Sequence, residues 1–207
     1  MKFNSMLFII FCLLQALNSS TVGLNEQSLK DAAVKTLKYA RVYHQDSIKL
    51  TDKNNFQDIK LNCPSLTSNN IQFRFDEYGL LHIKFVNLKV SVTGKFNLNF
   101  PFFRTKPQYT AKLNNFSWEQ VFVVSKKDLG NGKLDIKFKP TEESKISYNM
   151  ALYNSKNINI TNLNTNPLNF SDIIKNEVKN LDYNPLKNQL KKVAQLILET
   201  LQSDLKK

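Results

Sequence analysis

From Asn25 to Tyr43 apolar and small side chains recur every three or four residues. Leu29, Ala32, Ala33, Thr36, Leu37, Ala40 and Tyr43 share one arc, and Lys30, Lys35, Lys38 and Arg41 lie opposite. That period predicts an amphipathic helix, capped at its start by Asn25 or Ser28. Asp52, Asn54 and Asn55 then mark a loop, and short extended segments follow over 56–61 and 71–75.

The central third changes period. Leu81, Ile83 and Phe85 alternate with polar residues, and then the parity switches: Val86, Leu88, Val90, Val92, Phe96, Leu98, Phe100 and Phe102 share a face. A parity switch inside an extended run predicts a β-bulge. The even series is too long for an ordinary strand, so it is one long bent strand or two in succession, with Gly94 permitting a bend and Pro101 marking an edge or turn. Tyr109, Ala111 and Leu113 resume the alternation, and Phe116, Trp118, Phe122 and Val124 continue it on the other parity. Gly130-Asn-Gly132 signals a hairpin. Beyond it Leu134, Ile136 and Phe138 oppose Lys133, Asp135, Lys137 and Lys139, and Ile146, Tyr148, Met150, Leu152, Ile158 and Ile160 repeat the pattern.

Helical spacing returns at the end of the chain. Phe170, Ile173, Ile174, Val178 and Leu181 make a short stripe. Asn184 as cap and Pro185 in the first turn open a longer helix, with Leu186, Leu190, Val193, Ala194, Ile197 and Leu201 on one side, widened by Leu196 and Leu198. The expected fold class is α+β: a strongly curved antiparallel sheet wrapped around a long helix, flanked by amino- and carboxy-terminal helices.

Residues 1–20 hold one early cation, Lys2, then the apolar run Met6–Leu14, then Gln15, Asn18, Ser19 and Ser20. That layout reads as a secretory signal peptide, too short to span a membrane, followed by one domain over 21–207 and a secreted, extracellular destination. Cys12 lies in this leader, which leaves Cys63 without a mate. Glycosylation acceptor patterns fall at Asn115, Asn159 and Asn169. The 207-residue chain carries 29 Lys plus Arg against 17 Asp plus Glu, a net charge of +12 that favours anionic partners. Only positions 41, 74 and 104 are Arg, so the cations suit diffuse attraction rather than base readout, and nucleic acid is not an expected partner.

Leu37-Lys-Tyr-Ala-Arg41 and Leu80-Leu-His-Ile-Lys-Phe-Val-Asn-Leu-Lys-Val-Ser-Val-Thr-Gly-Lys-Phe96 resemble the amino-terminal barrel of the bactericidal/permeability-increasing and lipopolysaccharide-binding protein family, in the tubular lipid-binding (TULIP) group. The resemblance spans about Leu24 to Leu205 and implies a single tapered barrel of twisted strands around a long helix, with an apolar tunnel for acyl chains. It departs from the family in lacking the second barrel and the barrel disulfide, and it leaves a homodimer open.

No catalytic motif is present: there is no G-x-S-x-G elbow, P-loop or G-x-G-x-x-G, and His44 and His82 read as solvated side chains without metal-ligand spacing. Neither an enzyme, a cofactor nor a metal is expected. The candidate ligand face is Leu29, Ala33, Leu37 and Ala40 from the first helix, Val86, Leu88, Val90 and Val92 from the sheet, and Leu190, Val193 and Ile197 from the closing helix. Patterning alone reads the same for a packed core as for a tunnel. The candidate membrane contact is Lys95, Phe102, Phe103, Arg104 and Lys106, aromatic rings and cations at a hairpin tip. The expected function is a secreted lipid-binding protein, holding an acyl lipid or phospholipid and recognising lipopolysaccharide or other anionic membrane lipids. The alternatives are a basic antimicrobial effector that coats anionic membranes without storing a ligand, and a glycosylated structural or adhesive domain.

Overall fold

A computed structural model describes residues 24–39, 48–50, 52, 55–62, 66–99, 104–106, 108–130, 133–143, 146–153 and 170–206. The leader, Ala40, Tyr43, His44, Cys63, Phe100, Phe102, Phe103, Ile158, Asn159, Ile160 and Asn169 lie outside the described residues.

Helix α1 (Glu26–Tyr39) begins where the capping signal placed it. Asn25 Oδ1 accepts from the Ser28 amide at 2.9 Å and Ser28 Oγ accepts from the Asn25 amide at 3.0 Å, so both capping candidates are used, reciprocally. The strands are β1 (Ile48–Lys49), β2 (Phe56–Asn62), β3 (Ile71–Phe75), β4 (Leu81–Phe96), β5 (Leu98–Asn99), β6 (Arg104–Thr105), β7 (Gln108–Gly130), β8 (Lys133–Glu143) and β9 (Ser147–Tyr153). Seven of them form one antiparallel sheet, and β5 pairs only with β6.

The spine of the sheet is the ribbon of β4 and β7, 16 and 23 residues long. β2 and β3 pair with opposite ends of β4, and β8 and β9 do the same for β7. The long apolar series divides between two strands in succession, since β4 ends at Phe96 and Leu98 opens β5, and the expected bulge is present in β4. Its register shifts between Phe85 and Leu88, and Asn87 sits at φ 55°. β7 has a matching irregularity, with Asn115 also at φ 55° and Leu88 opposite Phe116. Asn tolerates this left-handed conformation better than most side chains. Because both strands change parity at the same level, the apolar side stays inward along the ribbon: Leu81, Ile83 and Phe85 face Phe122, Gln120 and Trp118 on one side of the bulges, and Val90 and Val92 face Leu113 and Ala111 on the other. The hairpin predicted at Gly130 joins β7 to β8, with Gly130 at φ 79°.

Helix α2 (Phe170–Lys179) packs on β9, and helix α3 (Asn184–Leu205) lies on β7, β8 and α1. Leu186, Leu190, Val193, Ala194, Ile197, Leu198 and Leu201 of α3 are buried, and the larger of these contribute about 1.5–3 kcal/mol each relative to an exposed state. Asn184 is not the cap expected of it: Tyr183 occupies that position without a side-chain bond, and Asp182 Oδ1 takes the Asn184 amide at 2.9 Å. α1 and α3 meet through small residues. Thr36 Oγ1 donates to Thr200 Oγ1 at 3.0 Å, and Lys35 pairs with Asp204 at 2.8 Å.

Candidate functional site

The residues expected to face a ligand are drawn together by this packing. Leu29, Ala33, Leu88, Val90, Val92, Leu190, Val193 and Ile197 belong to one contiguous apolar cluster, and Leu37 packs half-buried against it. Val86 is buried beside the bulge. Leu29, Val92, Val193 and Ile197 have no exposed surface at all, so protein atoms close every side of them.

Two polar groups interrupt the face. Gln120 is fully buried opposite Ile83, its Nε2 donating to the carbonyls of Val121 at 3.0 Å and Thr141 at 3.3 Å. Its Oε1 has no partner among the described residues, nor does the buried Nε1–H of Trp118 two residues earlier. Leaving such groups unpaired costs about 1–3 kcal/mol each. Residues two apart on a strand share a side, so an orphan acceptor and an orphan donor occupy the same stretch of the inner face. Composition gave no hint of Gln120, but its even number within the series 116–124 places it inside.

The expected membrane tip is differently engaged. Lys95 Nζ pairs with Asp58 Oδ2 at 2.7 Å, and this bond, with the lysine charge, holds the Asp58 carboxyl below its ordinary range. Lys106 Nζ donates to Gln57 Oε1 at 3.2 Å. Both lysines are thereby tied to the irregular stretch of β2 at Asp58, which has φ 53°. Arg104 lies in β6 opposite Asn99. Of the acceptor asparagines, Asn115 is exposed at its bulge.

No family model matches the chain, and no curated protein does. Two of the solved structures to which it is similar serve as examples. One is lipopolysaccharide binding protein: 14% identity, TM-score 0.36, 86% of this chain and 37% of that one. The other is Takeout 1 of Epiphyas postvittana: 15% identity, TM-score 0.38, 86% of this chain and 91% of that one. The chain thus spans little more than a third of the first.

A second site lies on the outer face. A cleft of about 580 Å³ is lined by Glu26 and Lys30 of α1, Gln72 and Arg74 of β3, His82 and Lys84 of β4, and Glu119 of β7, with Ile71 and Phe73. His82 is not the solvated side chain the sequence led us to expect: it is only 15% exposed and sits between two carboxylates. Its Nε2 lies 3.1 Å from Asp76 Oδ2 and its Nδ1 2.5 Å from Glu119 Oε1. Asp76 lies six residues before His82 across the turn, but Glu119 comes from β7, 37 residues on, which is why local pattern missed the cluster. No group of three or more His, Cys, Asp or Glu among the described residues is arranged to hold a metal ion.

Asp76 also organises the turn into β4, its Oδ1 accepting from the amides of Tyr78 at 3.0 Å and Leu80 at 2.8 Å. The His82 hydrogen bond foremost, and these two amides, hold its carboxyl below the ordinary 3.8 against the opposing effect of desolvation. An acid depressed in this way stabilises the fold above its unfolded value and loses that contribution as pH falls through its folded value. Asp76→Asn keeps the turn-capping oxygen and removes the charge. Chemical denaturation across pH 2–5 is expected to show a shallower loss of stability below about 3.8 in the variant than in the parent; an unchanged acid limb would mean the pair does not contribute.

Proposed function

We propose that the protein is a secreted, non-enzymatic lipid carrier that takes an acyl chain between its helices and the inner face of the sheet. The observation that carries this reading is the inner face itself. It is apolar along the 16 residues of β4, roughly 50 Å at ~3.3 Å per residue, and it is broken by an orphan donor and an orphan acceptor. A packed core has no use for an unpaired Trp118 Nε1–H and Gln120 Oε1. A lipid hydroxyl or carboxylic acid, which donates and accepts at once, satisfies both while its chain follows the apolar face. Since Val92, Val193 and Ile197 are closed over, entry requires α2 and α3 to part from the sheet.

Delipidated protein titrated with a fluorescent fatty acid is expected to show saturable uptake, weakened several-fold by Gln120→Leu. In stability that variant is expected to change little, because it removes the unpaired acceptor together with the two hydrogen bonds of Nε2. No uptake, together with no lipid in native mass spectra of protein purified from its source, would reject the reading.

One observation favours a second reading, attachment to anionic membranes. The outer end of the β7–β8 hairpin exposes Leu129 together with Lys126, Lys127, Lys137 and Lys139. Its signature is vesicle binding that needs anionic lipid and weakens with salt. Lipopolysaccharide, expected from the sequence resemblance, is one such anionic surface.

A further inference from the structure

The lining of the outer cleft holds three cations, Lys30, Arg74 and Lys84, and two carboxylates, Glu26 and Glu119, the latter directly across from Lys84. Glu26 is taken by Lys30 at 2.7 Å, one turn along α1. Asp76 and Glu119 both lie against His82, one on each ring nitrogen. Arg74 and Lys84 remain, and neither makes an ion pair with a carboxylate among the described residues. Arg74 Nη2 lies 3.2 Å from His82 Nδ1, the nitrogen that Glu119 also engages, so its guanidinium abuts an atom already committed elsewhere.

Register brings the two cations together. Gln72 pairs with Lys84 and Arg74 with His82, so Arg74 and Lys84 are diagonal neighbours on one face of adjacent strands, their Cβ atoms roughly 7 Å apart. That separation suits one tetrahedral anion held between a forked guanidinium and an ammonium. The cleft volume, about 580 Å³, is that of a small-ligand site and exceeds what an isolated ion fills. Gln72 adds amide hydrogen-bonding capacity beside Lys84.

We propose that this cleft binds a phosphomonoester, its phosphate bridged by Arg74 and Lys84. The site is on the opposite face of the sheet from the acyl-binding surface and does not depend on it. Two sources carry this chemistry, a soluble phosphorylated metabolite and the headgroup of phosphatidic acid in a bilayer.

The full chain would be titrated with glycerol 3-phosphate by calorimetry, and floated with phosphatidylcholine vesicles containing or lacking phosphatidic acid. Saturable binding is expected in at least one arm. Binding of the soluble ester identifies a metabolite site, and binding to phosphatidic acid vesicles alone identifies a headgroup site. Arg74→Gln with Lys84→Gln is expected to lower affinity roughly tenfold or more, and Arg74→Lys to lower it by less, because an ammonium lacks the paired donors. Both side chains are exposed, so circular dichroism is expected to be unchanged. Lys179→Gln with Lys192→Gln, exposed on α2 and α3 and outside both proposed surfaces, serves as the control of equal charge. Absence of binding in both arms, or an equal loss in this control variant, would overturn the proposal.

Discussion

Phe116→Ala is expected to destabilise the protein by about 3–5 kcal/mol, the range for deleting a buried aromatic ring where the surroundings collapse only in part. Phe116 has no exposed surface and stands at the bulge opposite Leu88. Its ring lies 6.2 Å from Tyr148 on β9, nearly parallel at 12°, and 6.1 Å from Tyr183 at the entry to α3. Tyr148 and Tyr183 close the triangle at 5.7 Å. Tyr183 also donates to the Val178 carbonyl at 2.7 Å, which fastens the end of α2, and its burial, with Tyr148 nearby, raises its phenol well above the ordinary value. One ring thus fixes the corner where both closing helices meet the sheet. Urea unfolding reads the loss directly, and Phe116→Leu should recover a large part of it. If lipid enters by parting these helices, Phe116→Ala also accelerates release of a bound fluorescent fatty acid. A loss below about 1 kcal/mol would show that the triangle is not a structural hub.

The parts of the fold legible in the sequence are those fixed by local period. The parity switch after Phe85 announced the bulge because each inward residue had to stay apolar on both sides of it, and Gly130-Asn-Gly132 announced the hairpin because few residues accept a positive φ. Where competing local chemistry existed, the reading slipped. Asn184 and Asp182 both offer a capping oxygen, and packing of Tyr183 against Phe116 places the helix start so that Asp182 is the one used. The partners of β4 were not readable at all, since pairing with β2, β3 and β7 is settled by contacts across the whole chain. The same holds for His82, whose two carboxylates come from the turn before β4 and from β7. Polar residues inside escape a search for apolar pattern, so Gln120 was passed over while its neighbours Trp118 and Phe122 were counted.

Gly94→Ala is the second large effect expected, and its cause lies across the ribbon. A Cβ there would stand 2.5, 2.7 and 2.8 Å from Oη, Cζ and Cε1 of Tyr109, its partner across β4 and β7. What the position requires is room for a ring. Tyr109 has little freedom to withdraw: it is buried, meets Phe56 edge-on at 5.8 Å, and Phe56 in turn lies 4.8 Å from Phe96. Burial likewise pushes its phenol up to about 12. Overpacking a site so confined costs about 1–3 kcal/mol, at the upper end when the obstacle is an aromatic ring held by others. Because the clash is with one side chain, the cost is expected to be conditional. In a Tyr109→Ala background the same Gly94→Ala change should be nearly neutral, giving a coupling of about 1–3 kcal/mol in the double-mutant cycle. Additive losses would mean that the glycine serves the backbone of β4 and not the ring. A positive coupling would establish that the ribbon holds its shape at this end by seating an aromatic side chain directly on main chain.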